Sequence, residues 1–302
     1  MPKPPQRQSS QRTPAQPGAP APPPPTVGAR WLLTALAVAL AGAVLCGYAA
    51  LCLLFYQGQW QMLFHPSRTI AATPTSAGMA FDDIRFDVTE TGLPQLDGWW
   101  IPAQPLAQYS SATVLYLHDG SGSLSDTLPT LTALHALGIN VFAIDYRGFG
   151  RSTGAHPTER LGIADSIAAW TWLTDTRHIP ASNIVVFGDG VGVTFAAHLA
   201  AEFTPAGVIL ADPSPSARQI FASDARASIL PLFLLQKEKL DPSGDLATTH
   251  VPRLFIDRRG NSARTRQLFE GSSDPKSFVA LRTASSATAA DTLRRFLDEV
   301  LR

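Results

Sequence analysis

Hydrophobic positions fall along the chain in three regimes. Residues 1–30 carry Pro in runs, unbroken at 22–25, with Gln, Ser and Ala and almost nothing apolar and large. Such a stretch cannot bury enough surface to offset its ordering entropy, so a disordered, partly polyproline-II tail is expected. Residues 31–56, WLLTALAVALAGAVLCGYAALCLLFY, are apolar for 26 positions without a charge. At 1.5 Å per residue this makes about 39 Å of helix, enough to cross a ~30 Å hydrocarbon core with some tilt. Trp31 at one end and Phe55, Tyr56 and Trp60 at the other suit the two interfaces. A cleaved signal peptide is the competing explanation, but its apolar region is typically about 7–15 residues. A retained single-pass anchor is expected over 31–56, a linker over 57–79 and a folded domain over 80–302.

Beyond residue 80 strand-like apolar runs alternate with helical patterns. Residues 84–88 and 96–101 read as a hairpin, followed by strands at 112–117, 141–145, 184–188, 207–211, 253–257 and 278–281. Helical spacing of apolar residues covers 124–137, 159–175, 193–203, 263–269 and 289–301. Continuous β-branched strands separated by helices predict an α/β fold, a mostly parallel twisted sheet covered on both faces with right-handed crossovers. Residues 213–250 break this rhythm and are expected as a lid-like insertion.

Charge adds direction to this outline. Lys and Arg number 24, as do Asp and Glu, so no global basic field argues for a nucleic-acid partner. The distribution is uneven, since no Asp or Glu precedes Asp82 while Lys3, Arg7, Arg12 and Arg30 all precede the apolar run. Arg68 is the next basic residue, and by the positive-inside rule the tail is cytoplasmic and the domain exported, to the periplasmic side in a bacterium. The only cysteines, Cys46 and Cys52, lie within the span, which leaves the domain without disulfide or thiolate chemistry.

Three segments carry a family likeness: LYLHDGSGSLSD at 115–126, VFAIDYRGFGRSTG at 141–154 and VVFGDGVGVTFAAHLAA at 185–201. In this order they resemble the third-strand exit, the following strand with its Gly-rich turn, and the strand–turn–helix unit of α/β hydrolases. The likeness spans about 75–302. With the anchor, it is similar to the single-span subgroup near the serine aminopeptidase, lysophospholipase and acyl-protein thioesterase families. The resemblance implies a Ser on a sharp turn in G-x-S-x-G, a His that takes its proton and an acid that orients the His. Here the pentapeptide is Gly188-Asp189-Gly190-Val191-Gly192, so Gly190 stands at the nucleophile position. Asn261 stands where the acid belongs, and Ser286 falls near the base position, with no His after His250. The oxyanion region comprises His118, Asp119, Gly120 and Val191. Asp119 replaces the family's Gly, and a carboxylate there opposes developing negative charge unless it points away.

The same residues admit other chemistries. Ser121, Ser123 and Ser125 could supply a relocated nucleophile, although such residues also make turn and cap hydrogen bonds. Asp189 could imitate a dehalogenase-type nucleophile only if the turn slipped by one residue. Gly188, Gly190 and Gly192 before a helix, with Asp212 some twenty residues on, resemble a dinucleotide fingerprint that Val193 interrupts. Asp119, Asp189 and Asp212, with His118, fall at neighbouring strand ends and form a possible ligand crevice. Asp145, Arg147, Gly148 and Gly150 read as scaffold. His65, His135, His156, His178, His198 and His250 show no metal-ligand spacing, and neither metal nor cofactor is expected. The sequence therefore points to a membrane-anchored pseudo-hydrolase that binds an unidentified ligand or protein partner. The alternatives are an active ester or thioester hydrolase and a nucleotide-binding domain.

Overall fold

The computed structural model describes residues 27–88, 92–154, 156–225, 227, 229–258, 262–281 and 286–302. The tail over 1–26 and Asn261 lie outside the described residues. The sheet is built from β1 (Asp82–Val88), β2 (Pro94–Ile101), β3 (Tyr109–Leu117), β4 (Ile139–Asp145), β5 (Ile184–Asp189), β6 (Gly207–Ala211), β7 (Arg253–Asp257) and β8 (Lys276–Ala280). Their order across the sheet is β8-β7-β6-β5-β3-β4-β2-β1. β2 runs antiparallel to both β1 and β4, and the remaining neighbours in this sheet are parallel.

The helices are α1 (Ala29–Gly58), α2 (Leu128–His135), α3 (Glu159–Thr171), α4 (Gly192–Phe203), α5 (Ala217–Ser223), α6 (Leu232–Leu235), α7 (Ser243–Thr248), α8 (Ser262–Gly271) and α9 (Ser286–Val300). Period-2 alternation divides the strands' apolar residues between two cores, as a sheet buried on both faces requires. Leu115, Leu117, Phe142, Ile144, Val186, Leu210 and Phe255 meet α3, α4 and α8 on one face. Val114, Val141, Val185, Ile209 and Ile256 meet α2 and α9 on the other.

The expected strands and helices are present, with differences at helix ends. The helix expected over 124–137 opens as a 3-10 turn, Leu124–Thr127, because Ser123 and Asp126 form a capping box. α3 passes into a π turn, Trp172–Thr176, where Trp172 stacks on Phe142 with ring centroids 4.4 Å apart. Residues 213–250 carry the three short helices α5, α6 and α7.

The stretch read as a linker, 57–79, is instead built into the domain. Trp60–Leu63 makes a further helical turn, and Leu63 and Phe64 are buried. His65 and Pro66 then pair in parallel with Ser121 and Gly122. Among the described residues α1 is the one helix long and apolar enough to cross a membrane. The boundary between the chain's two compact units falls within it, at residues 50 and 51.

Candidate functional site

β5 ends at Asp189, and the chain turns through Gly190 and Val191 into α4. Gly190 has φ of +57°, the left-handed region that a residue with a Cβ adopts only at a cost. Its N–H donates to the Ala211 carbonyl at 3.0 Å, and its own carbonyl accepts from Ser214 N–H at 3.2 Å. The flanking glycines are set by close approach. A Cβ on Gly188 would lie 2.5 Å from the Gly192 carbonyl oxygen, and one on Gly192 would lie 2.1 Å from that of Leu117. The sharp strand-to-helix turn of the G-x-S-x-G motif is thus present in geometry, with glycine where the nucleophile would stand.

The space over Gly190 is filled by Asp119. Its Oδ1 accepts the N–H of Gly120 at 2.7 Å, the N–H of Val191 at 2.9 Å and the Ser214 hydroxyl at 3.3 Å. A Cβ on Gly190 would lie only 2.0 Å from that oxygen. In serine hydrolases with this turn, the N–H after the nucleophile and one from the loop after the third strand receive the oxyanion. Here Val191 and Gly120 spend those two groups on the chain's own carboxylate. Asp119 does not point away.

His118 is displaced from its expected place at the crevice. Its imidazole is fully buried in the scaffold, with ring centroids 4.5 Å from Tyr146 and 5.0 Å from Phe149. Nδ1 lies 2.6 Å from the Asp119 carbonyl oxygen and Nε2 lies 3.5 Å from Asp145 Oδ1. Asp145 also accepts the Leu124 N–H at 3.0 Å, which fixes the loop between them. Ser123 and Ser125 are structural, since their hydroxyls donate to the carbonyls of Thr69 and Ala72, each at 2.9 Å. Ser121 lines the crevice, but no histidine does.

Asp189 and Asp212 are both about 4% exposed, so they are not solvated loop carboxylates. Arg258, absent from the sequence-based site, lies between them. Its Nη2 is 2.6 Å from Asp189 Oδ2, its Nε is 3.0 Å from Asp212 Oδ2, and its backbone N–H donates to Asp212 Oδ1 at 2.6 Å. Burial opposes the guanidinium's charge, and the attraction of the two carboxylates more than offsets it. The Tyr116 hydroxyl donates to Asp189 Oδ2 at 3.2 Å. Burial pushes that hydroxyl well above its ordinary pKa and the Asp189 charge adds to the effect, so Tyr116 remains a donor. The expected acidic crevice is therefore a largely internal ion-pair network beside a cavity of about 320 Å³. One signal could have revealed Arg258: β6 and β7 pair Ala211 with Ile256, which brings the residues just after each strand together.

The same geometry bears on the other chemistries. A pyrophosphate over the Gly188–Gly192 turn would meet the Asp119 carboxylate where a dinucleotide site offers free N–H groups. No group of His, Cys, Asp and Glu among the described residues is arranged to hold a metal ion. Ser286 opens α9.

Comparison with known proteins places these observations. The family described as serine aminopeptidase, S33 (Hydrolase_4) matches residues 108–294. The uncharacterized protein Rv2307c of Mycobacterium tuberculosis is 27% identical over 259 residues, covering 82% of this chain and 90% of that protein. Human alpha/beta hydrolase domain-containing protein 17B is 30% identical over 128 residues, 42% of this chain and 43% of its own. Among solved structures, the Pyrococcus furiosus esterase Pf2001 superposes with a TM-score of 0.62 at 20% identity, covering 79% of this chain and 100% of the esterase.

Proposed function

The chain belongs to the serine aminopeptidase S33 family of α/β hydrolases, and we propose that it is a catalytically inactive member, a membrane-anchored pseudo-hydrolase that binds a ligand or partner. The observation that carries this reading is the Asp119 carboxylate seated over Gly190. Acyl transfer needs a side-chain nucleophile at the turn and unoccupied N–H donors for the developing oxyanion. Losing one such donor costs about 10²–10³ in rate. Here glycine cannot be acylated, and a fixed negative charge holds both donors. Asn261 and Ser286 at the remaining triad positions supply neither an ionised acid nor a base near neutral pH.

Catalytic silence follows and is directly measurable. The full chain in detergent, treated with a fluorophosphonate, takes up no label on serine above a heat-unfolded control, and short-chain esters show no turnover. Stoichiometric labelling mapped to one serine, with Ser121 the first to inspect, would overturn the assignment.

Anchoring belongs to the same proposal. α1 crosses the bilayer, and the four basic residues ahead of its apolar run at 31–56, against none from there to Arg68, set the tail in the cytoplasm and the domain outside. A reporter active only in the cytoplasm should work when fused ahead of Met1 and fail when fused after Arg302. A working C-terminal fusion reverses the orientation.

A further inference from the structure

Residues 51–59, the end of α1 and the residue after it, and residues 221–237 of the 213–250 segment are joined by side-chain contacts. Gln59 Nε2 donates to the Leu235 carbonyl at 3.1 Å, while its Oε1 accepts the Lys237 N–H at 2.9 Å. Phe55 meets Phe221 edge-on at 5.2 Å, and Lys237 Nζ sits 3.5 Å over the Tyr56 ring. A buried glutamine bonded at both ends of its amide fixes the two backbones in register. α6 is therefore held at the level where the apolar helix ends. Phe233 is only two residues from Leu235, which places it within roughly 7 Å of that level along the chain.

Phe233, Leu234 and Ile229 are 86%, 69% and 62% exposed. Single exposed apolar residues are ordinary, but these are three within six positions on a segment bonded to the end of α1. Ile229 directly precedes Leu230, which lines a groove shared with the helix end. That groove, of about 410 Å³, is lined by Leu51, Leu54, Phe55 and Met62 together with Ala227 and Leu230, and also by Gln59, Gln61 and Asp224. The polar partners suit the same boundary, since Tyr56 carries an amphipathic ring and Lys237 an ammonium on an apolar stem.

We propose that α6 and its flanks enter the outer leaflet of the bilayer that α1 crosses, so that lipid covers Phe233 and Leu234 and an acyl chain fills the adjoining groove. The inference rests on the anchor reading above. The domain then stands on the membrane at two points, and the segment at 213–250 faces lipid.

Depth-dependent quenching tests this on the full chain. With Cys46 and Cys52 changed to Ala, single cysteines at Phe233→Cys, Leu54→Cys and Ser182→Cys are labelled with an environment-sensitive fluorophore. The proteins are reconstituted in phosphatidylcholine–phosphatidylglycerol vesicles with and without a lipid carrying doxyl on its acyl chain. Labels at 54 and 233 should emit in the blue and lose roughly half their intensity to the quencher, with 182 unaffected. Quenching at 54 without quenching at 233 refutes the lid contact and leaves the anchor standing. No quenching at 54, with extraction by alkaline carbonate, refutes the anchor and this inference with it. A shielded label at 233 that ignores the quencher and varies with protein density would assign the patch to a second copy of the chain, and so refute lipid as its cover.

Discussion

Gly190→Ser is expected to lower the melting temperature by roughly 5–15 °C and to yield no esterase. Two penalties combine. A side chain in the left-handed region at φ of +57° costs about 1–3 kcal/mol. The new Cβ would also stand 2.0 Å from Asp119 Oδ1, so the carboxylate must leave its three donors or the turn must shift. Forced overpacking of this kind costs about 1–3 kcal/mol more. The cause can be isolated with Asp119→Gly. That change alone leaves the N–H groups of Gly120 and Val191 without their acceptor and should destabilise, yet it clears the site for the serine. The double variant should therefore lose less than the sum of the singles, with a coupling of about 1–3 kcal/mol. Strict additivity in thermal melts would show that the two side chains do not compete for one space. Activity is a separate matter, because triad members act as a unit. Ester hydrolysis should need Ser286→His and Asn261→Asp in addition. Turnover by the single variant would mean that acid and base lie elsewhere in the fold.

The second large effect is expected at Arg258. Replacing it with Met removes a cation that now lies 2.6 and 3.0 Å from Asp189 and Asp212, both about 4% exposed. Breaking a buried pair from one side costs about 3–5 kcal/mol, because the carboxylates keep their desolvation penalty while losing this attraction. The backbone adds to this, since Asp212 sits at φ of +45° and is held there by its bonds to Arg258. The rescue discriminates. Arg258→Met combined with Asp189→Asn and Asp212→Asn should recover most of the loss in urea unfolding, because the charges disappear together. A triple variant as unstable as the single one would show that Arg258 acts through packing and not as the counter-ion.

What the sequence made legible divides along physical lines. β6 and β7 occupy the residues that periodicity predicts, because β-branched runs bounded by Gly, Asp and Pro leave little freedom in their ends. The end of α3 was not legible, since the π turn is closed by Trp172 against Phe142, a contact between distant parts of the chain. Gly190 could be read from its frame because the flanking glycines answer to backbone approach alone. The orientation of Asp119 could not. It depends on where the Val191 N–H lies, 72 residues away, and on a Ser214 hydroxyl that no local pattern ties to it. His118 was misplaced for a similar reason. Its destination is decided by Tyr146 and Phe149, whose rings make an apolar socket that only the folded sheet assembles. Arg258 was not legible either, because its partners Asp212 and Asp189 lie at the ends of other strands and only the sheet brings them to it.

The two-residue pairing of His65–Pro66 with Ser121–Gly122 makes the stem a handle on the crevice. The His65 and Ser67 N–H groups donate to the Gly120 and Gly122 carbonyls, each at 2.7 Å, and a Cβ on Gly120 would come within 3.0 Å of the Leu63 carbonyl oxygen. The loop that carries Asp119 is thus stitched to the first residues after α1. A fragment cut at residue 80, where strand periodicity begins, would drop those stitches and pull the buried Leu63 and Phe64 out of the core. A fragment that keeps these contacts starts upstream of Trp60. Under the anchoring proposed above, a movement of α1 would be felt at the floor of the crevice through these two hydrogen bonds as well as through the packing of Leu63 and Phe64.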